Sequence, residues 1–144
     1  MARGAVVLVE EGRVALIRRE RKGGSPYYLF PGGGIQEGES AEEAAMREAH
    51  EELGIRVHLN GLAAVVLFNG RTQHYYWATR ISGVFGTGDG AEMTASAASS
   101  TGSYTPAWLA LHELPDHDVR PRALADLVGR RPHPTQPMFF EDHG

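Results

Sequence analysis

The chain opens on two short apolar runs, residues 6–9 and 14–18, separated by the polar residues Glu10, Glu11, Gly12 and Arg13. Runs rich in β-branched residues at that spacing predict a hairpin with Gly12 in the tight turn. Arg18, Arg19, Arg21 and Lys22 then precede Gly23, Gly24, Ser25 and Pro26, a composition expected to form a solvent-facing loop rather than to continue a strand. A short apolar piece, residues 27–30, ends at Pro31, Gly32, Gly33 and Gly34, where the backbone is free to turn and to be approached closely. The most legible helix follows over residues 41–53. Ser40 is its cap, Glu43 the reciprocal capping-box partner, and Gly54 its stop. Ala41, Ala45, Ala49 and Leu53 recur every fourth residue, a narrow stripe of mostly small side chains that suits close packing on a sheet.

Beyond the helix, residues 57–59, 63–68, 72–81 and 107–111 read as strands. Pro121 opens a short helix over 122–128 that Gly129 stops. Residues 83–102 are dominated by Gly, Ala, Ser and Thr and predict a mobile loop. The pattern is a mixed α/β (α+β) order in one domain over residues 1–130, followed by a Pro-rich tail, 131–144. That tail is expected to cross the surface extended. Met138, Phe139 and Phe140 then either close this domain's own core or pack on a second copy, making a homodimer.

Composition narrows the partners. With 18 acidic against 14 basic side chains the net charge is -4, so no whole-molecule positive field attracts duplex nucleic acid or an anionic membrane. The absence of cysteine excludes disulfides and thiolate chemistry and fits a cytoplasmic protein. The apolar run at residues 5–9 is too short for a signal core or a membrane span. The seven histidines show no metal-ligand spacing that falls on one face.

The chemistry gathers around the glycine turn and the helix. On a helix Glu48, Glu51 and Glu52 fall within an arc of roughly 100°. Like charges so placed repel by a few tenths of a kcal/mol per pair unless a cation or a base neutralises them. Arg47, whose planar fork takes a carboxylate bidentately, is one neutraliser, and a hard divalent cation is another. Gly33, Glu39, Arg47, Glu48, Glu51, Glu52 and Gly54 stand at fixed spacings, and a chance match to seven such positions is about 10⁻⁸ at one site. This pattern resembles the Nudix box. The resemblance implies an αβα sandwich around a mixed β-sheet and hydrolysis of a phosphoanhydride bond in a nucleoside diphosphate linked to another moiety. It implies that Glu48, Glu51, Glu52 and the Gly33 carbonyl hold Mg²⁺, with Mn²⁺ as a substitute, and that Glu39 and Arg47 brace the catalytic loop and helix. Glu48 or Glu51 assists attack by a cation-activated water, with no covalent intermediate.

Arg19, Arg21 and the backbone of Gly32, Gly33 and Gly34 are the expected phosphate contacts. Tyr75, Tyr76 and Trp77 alternate along a strand, where aromatics fill a core more often than they stack a base; Tyr76 is the one carried as a substrate contact, with Glu92. Asp89 or Glu92 would replace the acidic residue that several family members place before the last strand, since residues 103–107 contain none. The proline that marks ADP-ribose hydrolases is replaced by Gly70 and Arg71, and the tyrosine that marks dinucleoside polyphosphate hydrolases by Thr72 and Gln73. By default the resemblance points to a MutT-like nucleoside triphosphate pyrophosphohydrolase. ADP-ribose, nucleotide sugars and dinucleoside polyphosphates are the alternative substrates, and a non-catalytic nucleotide sensor is the alternative of another class. An RNA-linked hydrolase would need a basic groove beyond the one loop, against the net charge.

Overall fold

A computed structural model describes residues 2–88, 102–130 and 133–142. The expected hairpin is present as β1 (Arg3–Glu10) and β2 (Arg13–Arg21), paired at Val9↔Val14 and Glu10↔Arg13. Glu11 and Gly12 both have positive φ, 51° and 74°, the backbone that matches a two-residue turn to the twist of its strands. β2 runs on through Arg18 and Arg19 to Arg21, where the composition had suggested a loop. The cause is pairing: β7 (Gly102–Ala110) covers β2 from Arg13↔Ala110 to Arg21↔Gly102, and β3 (Tyr27–Leu29) covers its other side. A ladder on both edges outweighs the weak strand preference of charged residues.

β4 (Gly32–Gly34) pairs antiparallel with β1, and β1 lies parallel to β6 (Arg71–Gly83). β6 pairs with β5 (Ile55–Phe68), and β5 with β9 (Met138–Asp142) in parallel. With β8 (Val119–Arg120) beside β3, the order is β8-β3-β2-β1-β6-β5-β9. The two strands expected at 57–59 and 63–68 are one: β5 absorbs the break at Gly61, φ 118°, in a bulge between Leu59 and Ala64. Leu111, expected at a strand end, instead begins a 3₁₀ turn, Leu111–Asp116.

Helices cover both faces. α1 (Ala41–Leu53) lays Ala45, Ala49 and Leu53 on Val6, Leu8, Ile17 and Tyr76. It comes so close that a Cβ on Gly4 would strike the Ala41 carbonyl oxygen. The small-residue stripe and Gly4 together set that distance. α2 (Arg122–Gly129) and the 3₁₀ turn bury Leu114, Leu124, Leu127 and Val128 against the other core, with Val14, Leu16, Phe30 and Tyr75. Each fully buried leucine contributes roughly 1.5–3 kcal/mol relative to exposure. With no cysteine in the chain, no disulfide adds to that packing. No described helix is long and apolar enough to cross a membrane.

After α2 the tail is tied twice. His133 stacks on Trp77 at 4.6 Å, and its Nε2 lies 2.8 Å from the Val128 carbonyl oxygen. Phe140 packs on the core, whereas Phe139 is 69% exposed. Asp89, Glu92 and most of the stretch expected to be mobile lie outside the described residues. Its first part is anchored: Gly86 N–H donates to the Leu53 carbonyl at 2.9 Å, and Phe85 packs on Trp108 at 4.7 Å.

Candidate active site

Local sequence builds the polar centre. Ser40 Oγ accepts from Glu43 N–H at 3.1 Å while Glu43 Oε1 accepts from Ser40 N–H at 2.9 Å, so the reciprocal cap is complete. Glu43 is thereby occupied, and Arg47 turns to other carboxylates. Its Nε and Nη2 grip Glu39 at 2.8 and 3.0 Å, Nη1 reaches Glu48 at 2.7 Å and Glu51 at 3.2 Å, and Nη2 also donates to the Gly34 carbonyl at 3.1 Å. A guanidinium has five N–H donors, and these contacts use all five. Bonding to Arg47 and to the Gln36 N–H holds the Glu39 carboxyl well below its ordinary 4.5, at about 2. The Glu39 bond in turn raises the Arg47 pKa against the opposing effect of burial.

Glu48 and Glu52 are the two buried charged residues among those described, 8% and 6% exposed. Glu52 Oε1 accepts from Gly32 N–H at 2.8 Å. A Cβ on Gly33 would run into the Glu48 carboxylate, so glycine there lets the β4 backbone lie directly against it. Glu51, its side chain 40% exposed, stands at the solvent edge. Three carboxylates, Glu39, Glu48 and Glu51, thus contact one guanidinium, with Glu52 on the neighbouring Gly32 N–H, and the local excess is negative. Among the described residues no group of three or more acidic or imidazole side chains is arranged to hold a metal ion by itself. The donors are nonetheless all oxygens, two of the carboxylates are buried against the buried backbone of Gly32 and Gly33, and an ionised carboxylate offers about four lone-pair sites. That donor set fits a hard divalent cation that keeps part of its water shell.

The other face of β4 is different. A cavity of about 230 Å³ is lined by Arg3, Tyr27, Phe30, Phe68, Gln73, Tyr75 and Arg120, among others. Arg3 pairs with Gly34, so this cavity begins one residue from Gly33. The Arg120 guanidinium lies 3.9 Å from the Tyr27 ring centroid, held there by Asp118 through bonds of 3.1 and 2.9 Å. Phe30 meets Tyr75 edge-on at 5.9 Å, and Tyr75 Oη donates to Gln73 Oε1 at 2.8 Å.

The NUDIX domain family matches residues 1–127. The chain belongs to the Nudix family. Among curated relatives, an RNA pyrophosphohydrolase of Rhizobium meliloti is 30% identical, over 90% of this chain and 91% of its own. Another RNA pyrophosphohydrolase, from Shewanella piezotolerans, is 45% identical over 37% of this chain. That shorter match spans only 29% of the Shewanella protein's length. A mutator MutT protein of Bacillus halodurans has the same fold, with a TM-score of 0.71 at 20% identity, covering 99% of this chain and 90% of that one. The Nudix fold and family expected from residues 33–55 therefore hold. So does the place of the chain among hydrolases of phosphorus-containing anhydrides, a family that generally uses divalent metals.

Within this Nudix fold the structure brings Gly33, Glu39, Arg47, Glu48, Glu51 and Glu52 together around β4 and the second half of α1. It does not bring the basic residues with them. Arg19 lies 4.2 Å from the Tyr104 ring and donates to the Ser103 carbonyl at 3.4 Å; Arg21 lies 5.0 Å from Tyr27. Neither lines the cavity. Tyr76 faces α1, in register with Val6, and its neighbour Tyr75 faces the cavity instead. Alternation along β6 puts the two rings on opposite faces of the sheet. Sequence reasoning did not find Arg3, Phe30, Gln73 or Arg120. They come from four separate strands and loops, so spacing carries no signal; Tyr27 and Phe30 were marked only as part of an apolar piece.

Proposed function

We propose that this chain is a Mg²⁺-dependent nucleoside triphosphate pyrophosphohydrolase that releases a nucleoside monophosphate and pyrophosphate. Mn²⁺ would substitute. The observation that carries this reading is the pair of buried carboxylates, Glu48 and Glu52, held against the glycine backbone of β4 on one face while an aromatic and arginine-lined cavity opens on the other. Glu48, Glu52, Glu51 and the Gly33 carbonyl would hold the cation. When bound, the cation lowers the pKa of water and offsets charge on the leaving phosphate.

The chain's own residues do the rest. Arg47, with every donor engaged, fixes Glu48 and Glu51 relative to Glu39 and to the Gly34 carbonyl. The Gly32 N–H orients Glu52. β4 is an edge strand among the described residues, so a phosphate chain can pass round it from the cavity to the carboxylates. The cavity takes the nucleoside: its base stacks with the Tyr27–Arg120 pair and against Phe30 and Tyr75. Either Glu48 or Glu51 accepts the proton of the attacking water. This small-molecule chemistry suits the cytoplasm.

A second reading has an observation of its own. The curated relatives named above are RNA pyrophosphohydrolases, and a 5′-triphosphate on RNA presents the same anhydride to the same carboxylates. Arg21 and Arg120, both against the Tyr27 ring, would then meet the following nucleotides. The test is phosphate and pyrophosphate release with Mg²⁺ from nucleoside triphosphates, triphosphorylated RNA oligonucleotides, ADP-ribose, nucleotide sugars and dinucleoside polyphosphates. Wild type and Glu52→Gln are compared throughout. Turnover of free triphosphates, lost in Glu52→Gln, supports the first reading. Turnover confined to the RNA replaces it with the second, and nucleotide binding without turnover of any compound makes the chain a sensor.

A further inference from the structure

Glu51 and Glu52 stand in the last turn of α1, where a helix leaves its final four carbonyls without partners of its own. Helix ends of this kind fray unless something outside ties them. Here the Gly54 N–H donates to the His50 carbonyl at 3.0 Å, which satisfies the first of the four. The other three meet the residues that follow β6. Leu53 accepts from the Gly86 N–H at 2.9 Å, and a Cβ on Gly88 would overlap the carbonyl oxygens of Glu51 and Glu52. Gly88 is not among the glycines with positive φ, so its lack of a side chain serves close approach rather than backbone conformation.

Two features hold residues 86–88 in place. Thr87 Oγ1 and the Thr87 N–H both donate to the Val84 carbonyl, at 2.7 and 3.3 Å, and close the turn. The half-buried Phe85 lays its ring on Trp108 with centroids 4.7 Å apart, and both rings pack on the cluster that contains Leu53 and Ile55. Trp108 lies in β7 opposite Ala15 of β2, so the anchor belongs to the sheet and not to the helix. The other ends of the carboxylate cluster are fixed by different means: the first turn of α1 by its capping box, Glu48 by Arg47.

The geometry points to Phe85, Gly86 and Gly88 as positioning residues for the cation site: anchored on Trp108, they keep the last turn of α1 helical and so hold Glu51 and Glu52 at their spacing from Glu48. Glu48 and Glu52 are about one turn apart, and unwinding the last turn would carry Glu52 away while leaving the Arg47–Glu39 pair in place. The three residues act through the helix backbone rather than on the reacting atoms. This inference rests on reading Glu48, Glu51 and Glu52 as cation ligands.

Two variants loosen the contact by different routes. Phe85→Ala removes the anchor, and Gly88→Ala pushes the segment off the Glu51 and Glu52 carbonyls, whereas Phe85→Tyr keeps the ring. In the first two, amide hydrogen exchange followed by NMR should speed up roughly tenfold or more at residues 51–54, with the capped first turn at wild-type rates. In the same proteins the dissociation constant for Mn²⁺, measured by calorimetry without substrate, should rise roughly 10–100-fold. Phe85→Tyr should match wild type in both. Exchange that speeds up along the whole of α1 would mean a general loss of stability and overturns the proposal, as does wild-type exchange at residues 51–54 in both variants. A wild type that binds no Mn²⁺ overturns the cation reading together with this one; a wild type that binds it no more tightly than both variants overturns this one alone.

Discussion

The two faces of β4 are built from opposite materials. On the α1 side the cluster around Arg47 is made of ionic contacts and hydrogen bonds, and all of its residues lie between Gly32 and Glu52. On the cavity face the walls are aromatic rings, one glutamine and two guanidiniums, drawn from positions as far apart as Arg3 and Arg120. Three glycines separate them. The first face concentrates negative charge where a cation and a phosphate would meet; the second offers flat surfaces that suit a base. If that division is real, substitutions on one face should act on turnover and those on the other on substrate affinity.

The largest effect is expected from Glu52→Gln. The amide retains an oxygen that can accept from the Gly32 N–H, so folding is preserved while the charge is lost, and kcat should fall about 10²–10³-fold with little change in KM. Steady-state kinetics beside a thermal melt checks both halves. Next comes Arg47→Lys. An ammonium has three donors for the five contacts that the guanidinium makes, and it cannot grip Glu39 with two parallel bonds. Because Arg47 is partly exposed, a loss of about 2–3 kcal/mol in urea-denaturation stability is expected, below the cost of breaking a fully buried pair. A fall in kcat should accompany it. Equal stability with normal turnover would show that the brace is dispensable.

A smaller and different effect is expected across β4. Arg120→Ala removes the plane stacked on Tyr27 and should raise KM roughly tenfold while kcat changes little. A drop in kcat with KM unchanged would erase the contrast between the faces. The smallest effect is with pH. The Glu39 carboxyl is lowered from 4.5 to about 2 in the folded protein, so its contribution to stability is fully present above 4.5 and is lost as pH falls toward 2. Acid titration of the wild type against Glu39→Gln should therefore show the difference in stability shrinking between those values. A difference that persists below pH 2 would assign it to packing or neutral hydrogen bonds instead.

The α1 face was legible because its parts are close in sequence. A capping box, a glycine stop and carboxylates at helical spacing fix which side chains converge, since three or four residues return a helix to the same face. What Arg47 would choose was less legible. The resemblance had it brace the loop with Glu39, whereas its bonds to Glu48 and to the Gly34 carbonyl come from the way α1 meets β4. The side on which Tyr75 and Tyr76 fall was not legible either, because a one-residue shift in strand register exchanges the two faces.

The sequence by itself determined the β1–β2 hairpin, the helix from Ala41 to Leu53, the family and the carboxylate cluster. Each depends on local spacing and turn chemistry that any copy of the chain carries. Only the tertiary structure decided that Arg18 to Arg21 continue a strand, that Arg3, Tyr27, Gln73 and Arg120 share one cavity, and that Phe140 turns inward while Phe139 faces out. Those outcomes depend on which strand lies beside which, and pairing between distant segments is set by the whole core rather than by any one stretch of residues.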